Sequence, residues 1–291
     1  MADDSPVLYE ERDTMALVTL NRPDKLNTLN EPMIAGIADG IDRASASPDV
    51  RAIILRGAGR SFTAGYDLGF GERDPGFRTY KYGAPKVEIR DGGWDPVDDY
   101  MMMSHNAKRF MKIWECPKPV IGQLHGWCVG GGTDLILCCD LIFMAESAQI
   151  GYAPARIFGT PTTMLWVYRV GLEHAKEFLL SGDSIDAAEA HRIGLVSKVF
   201  PDDELEAATE AYAARFQHIP ANQLAMNKML LNQAFENMGL RTTQMLGTVF
   251  DGVARHTEEA QRWVDGILID GFRETIRRRD APFRDYGERE R

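Results

Sequence analysis

Short apolar segments that favour β-strands alternate with segments of helical spacing over the first 200 residues. Residues 15–20 and 52–55 each predict a short strand, and each is followed by a turn of polar residues or glycine. Between them, apolar residues from Met33 to Ile41 recur at helical spacing behind Asn30, which can cap a helix. Strands and helices that alternate at this pace indicate an α/β architecture.

The alternation continues in the middle of the chain. Residues 120–124 and 141–144 predict two further strands, and a helix that opens on glycine is predicted between them, from about residue 131 to residue 139. We therefore expect one α/β core that extends over residues 1–200.

The last third of the chain predicts helices only. Three segments with apolar stripes follow Pro201, and none of them reads as a strand: 202–216, 221–235 and 241 onward. The sequence thus predicts a second part, a helical region over residues 201–291.

The charge balance argues against a nucleic-acid partner. Lys and Arg number 33 against 43 for Asp and Glu, which gives a formal net charge of −10 at pH 7. A chain with this charge repels phosphodiester backbones. We expect no binding to nucleic acid.

The cysteines and the hydropathy of the chain bear on its compartment. No run approaches the ~18 apolar residues needed to cross a bilayer, and the acidic start lacks the apolar stretch of a secretory signal. The cysteines have no C-x-x-C spacing, which disfavours zinc and redox sites, and are expected to be buried thiols: Cys116, Cys128, Cys138 and Cys139. The sequence predicts a cytoplasmic protein without a metal site and without membrane contact.

A long insertion separates two parts of the predicted core. Residues 67–118 contain glycine-rich and aromatic stretches before a helical pattern resumes over 99–114. Loops of this length in compact domains are commonly lids or binding loops, and a mobile surface loop is the alternative interpretation.

Glycine-rich turns invite comparison with nucleotide-binding signatures. Residues 57–62 follow a strand but lack the third glycine of a dinucleotide fingerprint, and residues 130–134 lack the Lys-Ser/Thr of a phosphate-binding loop. Kinase, NTPase and dehydrogenase functions are therefore disfavoured.

Two segments have glycines where a strand gives way to a turn or a helix, namely residues 61–68 and 125–135. Glycine there lets a ligand approach bare backbone, and N–H groups at a helix start carry partial positive charge. One N–H group from each segment could bind a single carbonyl oxygen and stabilise an enolate. A purely structural role for either segment remains the alternative.

These two segments, together with four others, resemble the crotonase, or enoyl-CoA hydratase/isomerase, superfamily. The resemblance runs in the family's order from about residue 7 to residue 285, and the other segments that carry it are 21–30, 118–126, 139–151 and 187–201. It implies an α/β fold, a crotonase-like spiral of ββα turns with a C-terminal helical trimerisation region. It also implies an acyl-CoA thioester as substrate, no cofactor beyond the coenzyme A of that substrate, and a homotrimer or a dimer of trimers.

The resemblance also implies which residues contact the substrate. The oxyanion hole is expected at the amides of Tyr66 and Gly131. The residues expected to bind the substrate, several of them along the coenzyme A, are Arg22, Lys25, Leu26, Ala64, Tyr66, Asp67, Leu68, Gly69, Gly130, Ala155 and Arg278. Of these, Arg278 is expected to contact the coenzyme A bound to a neighbouring protomer.

The acid and base positions depart from the family pattern. Similar hydratases carry glutamate two places after the three glycines, where this chain has the shorter Asp134, our candidate catalytic residue. The second family glutamate is replaced by Ala155, which cannot transfer a proton. His105 and Arg156 are candidates to compensate, with a solvated helix residue and an ion-pair partner as their respective alternatives.

Thr162 and Thr163 offer hydroxyls near these positions. They could contact a substrate, and Thr162 could equally cap a helix.

The sequence as a whole predicts an enoyl-CoA hydratase/isomerase-type enzyme with one surviving carboxylate. Two alternatives stay open. One is a related reaction of CoA thioesters that needs a single base, such as isomerisation, decarboxylation or hydrolysis of a carbon–carbon bond. The other is a non-catalytic acyl-CoA-binding protein.

Overall fold

A computed structural model describes residues 5–67 and 96–286 of the chain. Its larger sheet has six strands in the order β1-β2-β3-β4-β6-β9, in which β1 is antiparallel to β2 and the other neighbours are parallel. The bounds are β1 (Val7–Arg12), β2 (Met15–Leu20), β3 (Ala52–Gly57), β4 (Val120–Leu124), β6 (Leu141–Ala145) and β9 (Lys198–Phe200). The four strands predicted from the sequence all lie in this sheet.

A smaller sheet has three strands of three residues each: β5 (Trp127–Val129), β7 (Gln149–Gly151) and β8 (Ser184–Asp186). β5 and β7 pair in parallel, and β7 and β8 pair in antiparallel fashion. Segments this short show too little alternation for a sequence pattern to reveal them.

The chain passes from the large sheet to the small sheet and then into a helix. β4 and β5 are followed by α3 (Gly131–Ile136), and β6 and β7 are followed by α4 (Trp166–Ser181). The remaining helices of this part are α1 (Glu31–Ala46), α2 (Pro96–Glu115) and α5 (Ala187–Arg192). Asn30 caps α1 as expected, because its side chain accepts a hydrogen bond from the amide of Met33.

Helices follow β9: α6 (Leu205–Ala214), α7 (Ala221–Asn237), α8 (Leu240–Ala254), α9 (Glu258–Asp270) and α10 (Phe272–Asp280). Leu205 and Ala213 of α6 are buried in the same apolar core as the sheet. The buried Lys228 of α7 donates to the carbonyl oxygen of Ile113 and to the carboxylate of Asp140, 2.7 Å away. These contacts fix α6 and α7 to the α/β part.

Two expectations about local structure were wrong. Helix α3 ends at Ile136 because the amides of Cys138 and Cys139 bond three residues back, to Leu135 and Ile136, which tightens the last turn. Thr162 does not cap α4, which begins at Trp166 behind Leu165.

The cysteines lie as the sequence predicts. All four cysteines are buried free thiols. None of the helices in the described part of the chain is long and apolar enough to cross a membrane.

Candidate active site

The two glycine-bordered segments lie side by side. The amide of Thr63 donates to the carbonyl of Trp127 at 3.0 Å, and the amide of Val129 donates back to Thr63 at 3.2 Å. A Cβ atom on Gly65 would lie 2.7 Å from the carbonyl oxygen of Val129 and 3.6 Å from the nitrogen of Gly131. Gly65 also has φ +94°, so both its conformation and its surroundings require glycine.

The amides of Tyr66 and Gly131 are available at this junction. The pairing between residues 29 and 66 uses the carbonyl of Gly65 and the amide of Asp67, which leaves the Tyr66 amide outside the ladder. Gly131 is the first residue of α3, so its amide has no partner within the helix. Within the described ranges neither amide donates a backbone hydrogen bond, so both are available to a ligand.

Asp134 lies on α3, one turn after Gly131, with 1% of its surface exposed. Its Oδ1 accepts hydrogen bonds from the amide and the hydroxyl of Thr163, both at 2.9 Å. Its Oδ2 is buried and has no hydrogen-bond partner among the residues that the structure describes. One carboxylate oxygen is thus fixed and the other is available to a ligand.

Burial raises the pKa of Asp134 from 3.8 to about 6, although the hydrogen bonds from Thr163 and the nearby amide of Thr162 favour the ionised form. The carboxylate of Asp251 raises the pKa further. A carboxyl group that changes charge near neutral pH is suited to proton transfer.

Helix α8 holds the loop that positions Asp134. Gln244 donates to the carbonyl of Thr163 at 2.9 Å, and Asp251 accepts from the amide of Thr160 at 3.3 Å. Sequence reasoning missed Gln244 and Asp251, because nothing in their spacing indicates contact with a loop some 80 to 90 residues earlier. The helical region therefore contributes to the site as well as to the core.

The Tyr66 side chain covers the glycine turn. A Cβ atom on Gly131 would lie 2.4 Å from its ring, and the ring stacks on Phe110 with centroids 6.4 Å apart. Its hydroxyl is buried without a hydrogen-bond partner in the described part of the chain, as is the hydroxyl of Thr162. From the sequence, Tyr66 was expected to contribute its amide to the oxyanion hole and to contact the substrate, and no role was expected for its hydroxyl. A tyrosine within a strip of small residues was the signal that could have drawn attention to its hydroxyl.

Ala155 lies in a short 3-10 helix, Ala153–Arg156, next to the glycine turn. Pro154 is 3.2 Å from a Cβ atom placed on Gly130, so this helix borders the candidate site. Ala155 is half-buried and packs against the apolar core. Its methyl group offers no proton at the position of the second family glutamate.

Arg156 is an ion-pair partner rather than a substitute for the missing glutamate. Its guanidinium donates to Asp183 at 2.8 Å, to Asp280 at 3.2 Å and to Asp285 at 2.7 Å, and only 3% of the side chain is exposed. The centroid of the Phe283 ring lies 3.6 Å from the Cζ atom of Arg156. This charge is engaged in fixing the C-terminal segment.

His105 lies on α2. It lines a groove between α1 and α2 together with Ala35, Ala38 and Asp39. The interpretation of His105 as a compensating acid or base stays a prediction.

Most of the residues expected to contact coenzyme A lie together. The amide of Ala64 donates to the carbonyl of Leu26 at 3.0 Å, and Arg22 pairs with Asp67 at 2.9 Å. Lys25 is exposed on the same turn. Leu68 and Gly69 lie outside the described residues.

Arg278, which was expected to contact the coenzyme A of a neighbouring protomer, has a largely exposed side chain in the single chain. It lies on α10 and pairs with Asp270 at 2.8 Å and with Glu274 at 3.6 Å. These ion pairs hold it on the α9–α10 hairpin, and they involve none of the residues around Arg22 and Asp67.

Comparison with known proteins gives a consistent result over nearly the whole chain. The family model described as enoyl-CoA hydratase/isomerase matches residues 10–84 and 90–281. The crotonyl-CoA hydratase of Syntrophomonas wolfei is 30% identical over 240 residues, which cover 81% of this chain and 83% of that protein.

Two solved structures are similar in fold. An enoyl-CoA hydratase of Mycobacterium smegmatis superposes with a TM-score of 0.89 at 38% identity, covering 99% of this chain and 97% of that one. An enoyl-CoA hydratase/isomerase of Xanthobacter autotrophicus Py2 superposes with a TM-score of 0.85 at 29% identity, covering 96% of this chain and 98% of that one. The likeness extends over the α/β part and the helices that follow it.

Proposed function

Since the chain belongs to the enoyl-CoA hydratase/isomerase family and has the crotonase fold of its solved relatives, we propose that it binds an acyl-CoA thioester and stabilises an enolate of the acyl group. The amides of Tyr66 and Gly131 bind the thioester oxygen, where negative charge develops as the enolate forms. Asp134 moves a proton at the α- or β-carbon of the acyl group.

One observation carries this proposal: the amides of Tyr66 and Gly131 belong to two segments that pack side by side, and neither donates a backbone hydrogen bond within residues 5–67 and 96–286. Donors that are already oriented toward developing charge need no reorganisation during the reaction. The free Oδ2 of Asp134, three residues along α3 from Gly131, supports the placement of the proton-transfer group.

The coenzyme A is proposed to lie along the turn that contains Arg22, Lys25 and Leu26 and along Ala64 and Asp67. Local cations are needed because the phosphates of the substrate approach a protein of net charge −10. Coenzyme A is part of the substrate, and the proposal invokes no other cofactor and no metal.

Mixing the purified protein with crotonyl-CoA and with longer 2-enoyl-CoA thioesters, and following the loss of enoyl absorbance together with the products, tests this function. We expect turnover of at least one thioester that depends on Asp134. Absence of any product from the whole panel contradicts a hydratase or isomerase role on these thioesters.

A second candidate function is supported by Ala155, which removes one of the two carboxylates that a hydratase of this family uses. A non-catalytic acyl-CoA-binding protein would retain the two amides and bind thioesters without converting them. Calorimetry with butyryl-CoA, read beside the turnover panel, separates this function from the enzymatic one.

The pH profile of turnover should reflect the pKa of Asp134, which burial raises to about 6. As a base, Asp134 acts in its ionised form, so kcat/KM should fall about tenfold per pH unit below that value and level off above it. A profile that stays flat from pH 5 to pH 8 would exclude Asp134 as the base.

We propose that the protein assembles as a homotrimer or a dimer of trimers. Helices α7 to α10 expose large apolar side chains, an unusual surface for a monomer. These exposed apolar side chains are Met226, Met229, Leu230, Leu231, Met245, Leu246, Phe250, Val253, Leu268, Ile269 and Phe272.

Light scattering after gel filtration should give three or six times the mass of one chain. Replacing Leu230 and Leu231 together by Glu should shift the protein to smaller species, since both side chains are more than 70% exposed in the single chain. Leu180→Glu on α4, where the side chain is 81% exposed, is the matched control and should leave the mass unchanged. A monomeric wild type at micromolar concentration would contradict the proposal.

A further inference from the structure

Three buried polar atoms beside the candidate site lack partners. The Tyr66 hydroxyl, the Thr162 hydroxyl and Oδ2 of Asp134 make no hydrogen bond to any residue that the structure describes. Thr162 and Asp134 are each 1% exposed. Leaving a buried polar group unsatisfied costs about 1 to 3 kcal/mol, so three together indicate a place for a polar ligand.

Contacts between separate segments bring the three groups together. The Tyr66 ring lies against Gly131, one turn before Asp134 on α3, and the amide of Thr163, the residue after Thr162, donates to Asp134 at 2.9 Å. The Thr162 hydroxyl is close enough to the Tyr66 hydroxyl to interact with it, and the carboxylate of Asp134 raises the pKa of the phenol. The amide of Thr162 is also near the Asp134 carboxylate. A single small molecule between them could therefore reach all three.

We propose that the Tyr66 and Thr162 hydroxyls hold a reacting water against Oδ2 of Asp134, in place of the second carboxylate that Ala155 removes. The inference rests on the proposed function and deepens it, because it assigns the reaction as hydration of a 2-enoyl-CoA thioester. Tyr66 and Thr162 become catalytic residues that touch the reacting water.

The hydrogen-bonding capacity of the three groups suits this task. The water donates one hydrogen to Oδ2 of Asp134 and the other to the Thr162 oxygen, and it accepts a hydrogen bond from the Tyr66 hydroxyl. Three partners are typical of a buried water. One lone pair remains, and it can be directed at the β-carbon of the acyl group.

One carboxylate is enough for both proton transfers of the hydration. Asp134 takes a proton from the water as the oxygen bonds to the β-carbon, and the π electrons of the C=C bond move toward the thioester oxygen held by the two amides. Asp134 then returns a proton to the α-carbon, so that H and OH add across the double bond from the same side. No oxidant, reductant or other co-reactant is consumed.

The Tyr66 hydroxyl is suited to donate a hydrogen bond to the reacting water. Its ring is fixed between Gly131 and Phe110, and burial keeps the phenol neutral by raising its pKa well above the ordinary value. Tyr66→Phe removes the hydroxyl while it retains the ring and the backbone amide. The variant therefore separates the hydroxyl from the oxyanion hole.

Two reactions measured on the same variants test the inference. The first is hydration of crotonyl-CoA and longer 2-enoyl-CoA thioesters. The second is exchange of the α-hydrogens of butyryl-CoA in D2O, which needs Asp134 and the two amides but no reacting water. Tyr66→Phe and Thr162→Val are the test variants. Tyr168→Phe, which removes a hydroxyl hydrogen-bonded to Thr243 instead, is the matched control.

We expect Tyr66→Phe and Thr162→Val each to lower kcat for hydration roughly 10- to 100-fold, the effect of one hydrogen bond to a charged or reacting group. Their α-hydrogen exchange should stay within about twofold of wild type, as should the Kd for butyryl-CoA, and Tyr168→Phe should change neither reaction. The butyryl-CoA Kd also verifies that each variant is folded.

Hydration that is unchanged in both test variants would overturn the inference. Equal losses in hydration and exchange would also overturn it, because they would mean that the hydroxyls position the Asp134 carboxylate and not the water. A wild type that exchanges α-hydrogens but hydrates no thioester would overturn the inference and leave the proposed role of Asp134 intact. A wild type that binds butyryl-CoA but performs neither reaction would overturn the enzymatic function with it.

Discussion

Asp134→Asn should lower turnover roughly 10²- to 10⁴-fold, the usual contribution of a positioned acid or base. The amide side chain can still accept the two hydrogen bonds from Thr163, so the loop geometry should persist. The loss should therefore appear in kcat, while the Kd for butyryl-CoA stays close to that of wild type.

The same substitution should not destabilise the fold. Burial raises the pKa of Asp134 from 3.8 to about 6, so the folded state binds this proton more tightly than the unfolded state. The free energy of unfolding therefore falls as the pH rises through this interval and stays at the lower level above pH 6. Asn removes that ionisation, and thermal unfolding at pH 7.5 should find the variant at least as stable as wild type. Retained turnover in a folded variant would remove Asp134 from the mechanism.

Arg156→Ala should be the most destabilising single change considered, by about 3 to 5 kcal/mol, because it breaks a buried ion-pair network. Asp280, 1% exposed, would lose one of its two cationic partners and retain Arg279. Asp285 and the packed ring of Phe283 would lose their contact with the guanidinium.

Chemical denaturation followed by circular dichroism measures this effect. Arg192→Ala is the matched control, because its pair with Glu189 is exposed and such pairs contribute about 0 to 1 kcal/mol. A loss for Arg156→Ala no larger than that of the control would show that the network does not hold the C-terminal segment. Because Arg156 follows Ala155 at the border of the site, we also expect reduced turnover in this variant.

The elements that could be predicted from the sequence are those long enough to show a period. Strands β2, β3, β4 and β6, each of five or six residues, and helix α1 with its Asn30 cap agree with the structure. Strand β1 was missed although it has six residues, because its polar and charged residues outnumber the apolar ones. Strands β5, β7 and β8 have three residues each, and their pairing depends on contacts that no local pattern encodes. The end of α3 at Ile136 was missed because the apolar run continues into the core beyond the helix.

The candidate site likewise has parts that could be predicted from the sequence and parts that could not. The two glycine-bordered segments could be recognised from the residues alone, and the resemblance to the family then assigned the amides of Tyr66 and Gly131 and the carboxylate of Asp134 within them. Their roles in catalysis stay predictions. The contact of Thr163 with Asp134 joins residues 29 positions apart, and the pairing of Arg156 with Asp285 joins residues 129 positions apart. Only the folded chain reveals such pairs.

A crystal structure of the Asp134→Asn variant with bound crotonyl-CoA tests the central claim most directly. We predict the thioester oxygen at about 2.7 to 3.1 Å from the backbone nitrogens of both Tyr66 and Gly131, the distance of an effective oxyanion donor. A thioester oxygen that accepts from neither amide, with the acyl group bound elsewhere on the protein, would contradict the account.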